Sequence, residues 1–99
     1  MVAARRPWLG RWRRTRAARD TADVLDRLVE AELDFLRRLP VHLRSRPAEA
    51  LAVLVMLAQD HRYYVLGWLS RRELRRRSER ALSDLDALRV SFDMMGPPR

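Results

Sequence analysis

Few side chains in this sequence have the types and spacing for covalent or metal chemistry. Glu32, Asp60 and His61 come nearest to a ligand set. Helical bundles that hold two metals through carboxylates use a Glu on each of two helices and a Glu-x-x-His pair on each of the others. No Glu-x-x-His is present, and adjacent residues such as Asp60 and His61 point about 100° apart on a helix. Cys is absent, which removes thiolate nucleophiles, thiolate metal ligands and disulfides. There is no Gly-rich phosphate loop and no His-Glu-x-x-His. His42 stands alone in a connector, and Tyr63 and Tyr64 beside Asp60 and His61 read as the polar edge of a core. The sequence therefore points away from an enzyme, and no cofactor or metal is expected.

What chemistry remains is electrostatic, and it belongs to arginine. All 21 basic residues are Arg, and Lys, Ile and Asn are missing altogether, the pattern of a GC-rich coding sequence. The net charge of +8 is unevenly placed: residues 1–19 carry seven Arg and no acid, while residues 20–99 balance 14 Arg against 13 acids. Arg5, Arg6, Trp8, Arg11, Trp12, Arg13 and Arg14 thus form a basic and aromatic set in the leader. Arg neutralises phosphates, and Trp stacks on bases or rests at a lipid interface. The same two residue types are enriched at the energetic centres of protein contacts. A second basic set, Arg71, Arg72, Arg75, Arg76 and Arg77, lies further on, where a charged run ordinarily marks a solvated face.

The elements that must carry these groups are helical. A chain of 99 residues with five Pro, three Gly and abundant Ala, Leu and Arg suits one all-α domain. The stretch from Ala48 to Leu69 is apolar almost all round in its first half, as expected of a helix covered on several sides. Leu51, Leu54, Val55, Ala58, Val65 and Leu69 recur on one face. No run of 18 apolar residues occurs, because Gln59, Asp60, His61 and Arg62 interrupt the best stretch, so no transmembrane segment is expected. The leader has no apolar h-region, although its acid-free, Arg-rich makeup overlaps that of a transit peptide. With no Cys in use, a cytoplasmic location is the expectation.

The spacing predicts helices over about 20–39, 47–69 and 71–94, arranged as a helical hairpin or three-helix bundle. An irregular basic arm over 1–19, with Pro7 and Gly10 as breakers, precedes the single domain of 20–96, and a tail of 97–99 follows it. Asp20 or Thr21 caps the first helix, Asp23 and Asp26 favour its positive end, and Pro40 stops it. Its stripe of Leu25, Leu28, Val29, Leu36 and Leu39 encloses Glu32. A carboxylate on such a face is costly unless paired, so a structural ion pair of Glu32 with Arg62 on the second helix is expected. Ser45 reads as the cap of the second helix. Ser70-Arg71-Arg72-Glu73 is a capping-box pattern opening the third, with a tight turn between Gly67 and Ser70. The alternative is one unbroken helix from Pro47 onward. Leu74, Ser78, Ala81, Leu85, Leu88 and Phe92 form a heptad-like seam.

Leu69-Ser70-Arg71-Arg72-Glu73-Leu74, then Ser78-Glu79-Arg80 and Asp84-Leu85-Asp86-Ala87-Leu88-Arg89, resembles the helix-turn-helix of DeoR-type bacterial repressors. The resemblance implies DNA binding, with Arg80 and Ser83 on the helix that enters the major groove. It spans about 20 residues, and the turn between the two helices of that motif is absent here.

Together these features suggest a non-enzymatic helical adaptor or assembly subunit that self-associates or docks into a larger complex. The second helix has more apolar surface than two flanking helices of this length can cover. The alternative is a nucleic-acid-binding protein using the arm and segment 69–89. Peripheral membrane contact by the arm is a third partner class.

Overall fold

A computed structural model of the protein describes residues 7–94, with side chains from 10 to 89. Three α-helices make up nearly all of it: α1 (Pro7–Arg38), α2 (Ser45–Val65) and α3 (Arg71–Met94), with a single 3-10 turn, Val41–Leu43, between α1 and α2. The all-α, three-helix architecture is that expected from the periodicity. No described helix is long and apolar enough to cross a membrane.

Helix α1 begins well before the expected start at Asp20. Pro7 occupies its first position, where a fixed φ and a missing N–H cost nothing. Gly10 was expected to break the chain, but one Gly costs only about 1 kcal/mol in a helix, and Arg and Ala dominate the following turns. Residues 7–19 are therefore helical and continuous with the body, correcting the irregular arm over that span. Arg5, Arg6 and the tail of 97–99 lie outside the described residues, as does the side chain of Trp8. At the other end, Leu39 precedes Pro40, and the helix stops at Arg38. The orphan carbonyls there are met by Arg44, which donates from Nε to the Leu39 carbonyl at 2.9 Å and from Nη2 to that of Arg37 at 3.0 Å.

Helix α2 starts at Ser45, with Arg44 in the capping position and no side-chain cap, so Ser45 is not the cap. It ends at Val65, four residues short of expectation, in a Schellman motif. The Gly67 N–H donates to the Tyr64 carbonyl at 3.0 Å and the Trp68 N–H to that of Tyr63 at 2.8 Å. Gly67 supplies the required positive φ, +82°. The contact that usually accompanies this motif is made by the Tyr63 and Trp68 rings, with centroids 5.2 Å apart. The break between α2 and α3 thus falls at Gly67–Ser70, and the single long helix does not form. Ser70 then caps α3, its Oγ accepting from the Glu73 N–H at 3.1 Å. Ser70→Ala is expected to lower stability by about 1 kcal/mol, read as a shift in the urea midpoint. An unchanged midpoint would mean that this cap contributes nothing.

Helix α2 is the middle element. Both α1 and α3 pack on it, and among the described residues they make no backbone contact with each other. The result is an open, elongated body of 68 × 24 × 21 Å, with a radius of gyration of 17.5 Å against about 13 Å for a compact chain of this length. Two apolar clusters line the seams. One joins Leu25, Leu57, Ala58 and Ala81, with Val53 and Leu54 against them. The other joins Ala18, Tyr64 and Leu69, with Tyr63, Val65 and Leu74. Half of the buried apolar residues are alanines: Ala18, Ala22, Ala58 and Ala81. Small residues let the helices approach closely, but they remove little apolar area from water.

Candidate contact surfaces

The groups able to do covalent or metal chemistry are not assembled. Among the described residues no cluster of His, Asp and Glu could hold a metal ion. The His61 Nδ1 lies 2.8 Å from the Leu57 carbonyl within its own helix. His42 is exposed in the 3-10 turn. Asp60 is buried, and Arg77 donates to its Oδ1 at 3.0 Å, tying α3 to α2.

Arg62 reaches α1, but not at Glu32. It forms a two-pronged contact with Asp26 and lies 3.6 Å from Asp23. The hydrogen bond that Arg62 donates to Asp26 chiefly, with both carboxylates adding attraction, raises the Arg62 pKa above its ordinary value. From neutrality upward, a raised pKa of this kind stabilises the fold below the ordinary Arg range and is lost as pH rises through the folded value. The pair is therefore indifferent to pH near neutrality. Glu32 is exposed. Asp26 and Glu32 are separated by about 9 Å along α1, at 1.5 Å per residue, so one Arg62 cannot serve both. The expected Glu32–Arg62 pair is corrected to Asp26–Arg62. Asp23 and Asp26 were read as partners of a helix dipole because the helix was started at Asp20. With the start at Pro7 they sit in mid-helix and are free to pair across the seam.

Two sets of basic residues lie toward the same end of the body, that of the α2–α3 turn. Arg11 Nη2 comes within 3.8 Å of where a side chain at Gly67 would begin, so α1's first turns stand beside the α2–α3 turn. Arg11, Arg13 and Arg14 are exposed on α1, and Arg71, Arg72, Arg75 and Arg76 are exposed on the first turns of α3. Two aromatic groups share this end. Trp12 is exposed with the Arg16 guanidinium stacked 5.4 Å from its ring centroid, and Trp68 is 70 % exposed. An open hollow on α3 is lined by Glu73, Arg76, Arg77 and Arg80. Segment 69–89 does not form a helix-turn-helix, because α3 runs unbroken from Arg71 to Met94. Arg80 and Ser83 lie on that same continuous helix. The Leu74, Ser78, Ala81, Leu85 and Leu88 seam forms the less exposed side of α3, as expected, and the Phe92 side chain lies outside the described residues.

The largest departure from a finished core is apolar. On α2, Ala48, Ala52, Val55 and Met56 are exposed on the side away from the buried cluster. On α1, Val24, Leu28, Ala31 and Phe35 form a second stripe at 4-3-4 spacing, separate from the buried line of Ala18, Ala22, Leu25 and Val29. Val24 is 57 %, Leu28 42 % and Phe35 55 % exposed. The sequence reading had Leu28 facing inward and missed this stripe. Its signal was present, since two apolar lines 4-3-4 apart on one helix cannot both face one neighbour.

Comparison of the chain with protein families, with curated proteins and with solved structures gives no match.

Proposed function

We propose that the chain is a non-enzymatic assembly subunit, a helical module that works by self-association or by docking into a larger complex. The observation that carries this reading is the exposure of large apolar side chains in stripes on α1 and α2 while the buried core is half alanine. Scattered exposed apolar residues are ordinary, but contiguous stripes on a small domain mark contacts. Self-association is the form that purified protein tests. Sedimentation equilibrium is expected to give a mass above the 11.7 kDa of one chain, rising with concentration. A mass fixed at one chain over the accessible range would overturn it.

A second reading is favoured by the cationic end. Arg11, Arg13, Arg14, Arg71, Arg72, Arg75 and Arg76 meet there beside exposed Trp12 and Trp68. That combination suits a single-stranded nucleic acid, with phosphates on Arg and bases on Trp. It predicts binding that falls steeply with salt. Binding of an oligonucleotide that is absent at low salt removes this reading.

A further inference from the structure

The α1 stripe has the pattern of a coiled-coil seam with a preferred register. Val24, Leu28, Ala31 and Phe35 take the d, a, d and a positions of two heptads, and Arg27 and Asp34 then fall at g. From this we infer that α1 pairs with α1 of a second copy of the chain, antiparallel, about a two-fold axis between Val29 and Glu30. The inference rests on the assembly reading and specifies which surface does the work.

Three features of the chain point to this occupant, and the first and third to this orientation, since a parallel pair sets Arg27 at g against Glu32 at e. The first is size. Antiparallel pairing about that axis sets Val24 against Phe35 of the other copy and Leu28 against Ala31. Each layer then joins a larger side chain to a smaller one, as close packing requires. The second is charge. In an antiparallel coiled coil the g positions face each other across the seam, so Arg27 of one copy meets Asp34 of the other, twice by symmetry. Within one chain these residues do not meet. Arg27 Nε donates only to the Asp23 carbonyl, at 3.4 Å, and Asp34 lies 3.8 Å from Arg37 on the exposed surface. Both side chains are exposed, and the contacts they make within the chain are long. The third is the distribution of net charge. Residues 1–19 hold seven Arg and no acid. A parallel dimer would bring two such segments side by side. The antiparallel one holds them about 50 Å apart at 1.5 Å per residue, well beyond a screening length of about 8 Å at physiological salt. The other apolar face, on α2, has no such internal complementarity: Ala48, Ala52, Val55 and Met56 are flanked by Glu49 and Gln59 and name no partner.

The seam is only two heptads long, so the dimer belongs to the small, reversible class that buries less than about 1,200 Å² in total. Both Cα traces are left as they are, because the stripe is already exposed.

Charge exchange at Arg27 and Asp34 tests the register by sedimentation equilibrium, with helicity checked by circular dichroism. R27D alone and D34R alone are each expected to weaken the dimer about tenfold, since each replaces two attractions by two repulsions. The double variant R27D/D34R is expected to restore it, because the two positions are seven residues apart and cannot compensate each other within one helix. Dimerisation unmoved by either single change, or not restored in the double, would overturn the proposed seam. The chain has no cysteine, so oxidation of mixed single variants gives a second, independent reading. V24C with F35C is expected to form the mixed disulfide in preference to either self-pair. A preference for V24C with itself would mean a parallel pairing and would also overturn the proposal. A wild-type chain that self-associates while ignoring every change on α1 would remove this seam and leave the assembly reading in place. A monomeric wild type would remove both.

Discussion

Leu57→Ala is expected to cost about 3 kcal/mol, the middle of the range for a buried leucine cut back to alanine. Leu57 is the largest side chain that α2 contributes to the cluster with Leu25, Ala58 and Ala81. Two of its three buried neighbours there are already alanines, which leaves Leu25, Val53 and Leu54 to fill the space in part. A domain of this length has of order 5–15 kcal/mol of stability in total. The change should therefore lower the melting temperature by about 12–24 °C, at about 4–8 °C per kcal/mol for a domain of this size. Val55→Ala, on the open side of the same helix, should stay within about 0.5 kcal/mol of the parent. Equal losses at the two positions would contradict the division of α2 into a packed side and an open one.

Arg77→Ala is expected to cost about 1–3 kcal/mol, the penalty for leaving a buried acceptor without its donor. Asp60 is only 8 % exposed and has Arg77 as its ion-pair partner, whereas Arg77 itself is half in water. The pair is thus asymmetric. Removing Asp60 returns a guanidinium to solvent, while removing Arg77 strands a carboxylate. Asp60→Leu, which keeps the number and branching of the side-chain atoms, should therefore cost less than Arg77→Ala. Chemical denaturation of the two variants and of the double decides the matter. If Asp60→Leu proved the more damaging, the carboxylate would have a role beyond this contact.

How much of this was legible in the sequence depended on whether a signal was local. The Ser70-to-Glu73 cap, the break at Gly67 and the heptad seam of α3 follow from residues within a few positions of one another, and they were found where expected. The start of α1 was misplaced because Gly10 was given the weight of a true breaker, when the Arg and Ala around it favour helix strongly enough to absorb its cost. That one error propagated. It assigned Asp23 and Asp26 to a helix terminus, while Glu32 was matched to Arg62 because it falls within the stripe of Leu25, Leu28, Val29, Leu36 and Leu39. The Asp60–Arg77 pair depends on how far α3 folds back along α2, which no local pattern encodes. The α1 stripe is the reverse case: Val24, Leu28, Ala31 and Phe35 were readable, but an open fold was needed to show that no helix of the same chain covers them.

The contact surfaces stand on different grounds. The cationic end is a matter of composition and placement: Arg-rich first turns on α1 and α3, brought together by the Schellman turn at Gly67. The apolar stripes are a matter of surplus, since α1 and α3 each pack on α2 and, among the described residues, make no backbone contact with each other. In the proposed dimer the two cationic ends point away from one another, so both surfaces remain usable at once.

The central claim is that an uncovered apolar surface makes this chain an assembly subunit, and Phe35→Glu tests it most directly. Phe35 is 55 % exposed and touches neither apolar cluster, so a charge there should leave the monomer's helicity and melting unchanged. Light scattering of the parent and the variant at matched high concentration is predicted to give a mass approaching two chains for the parent and 11.7 kDa for the variant. A parent at 11.7 kDa under the same conditions, with the variant indistinguishable from it, would contradict the account.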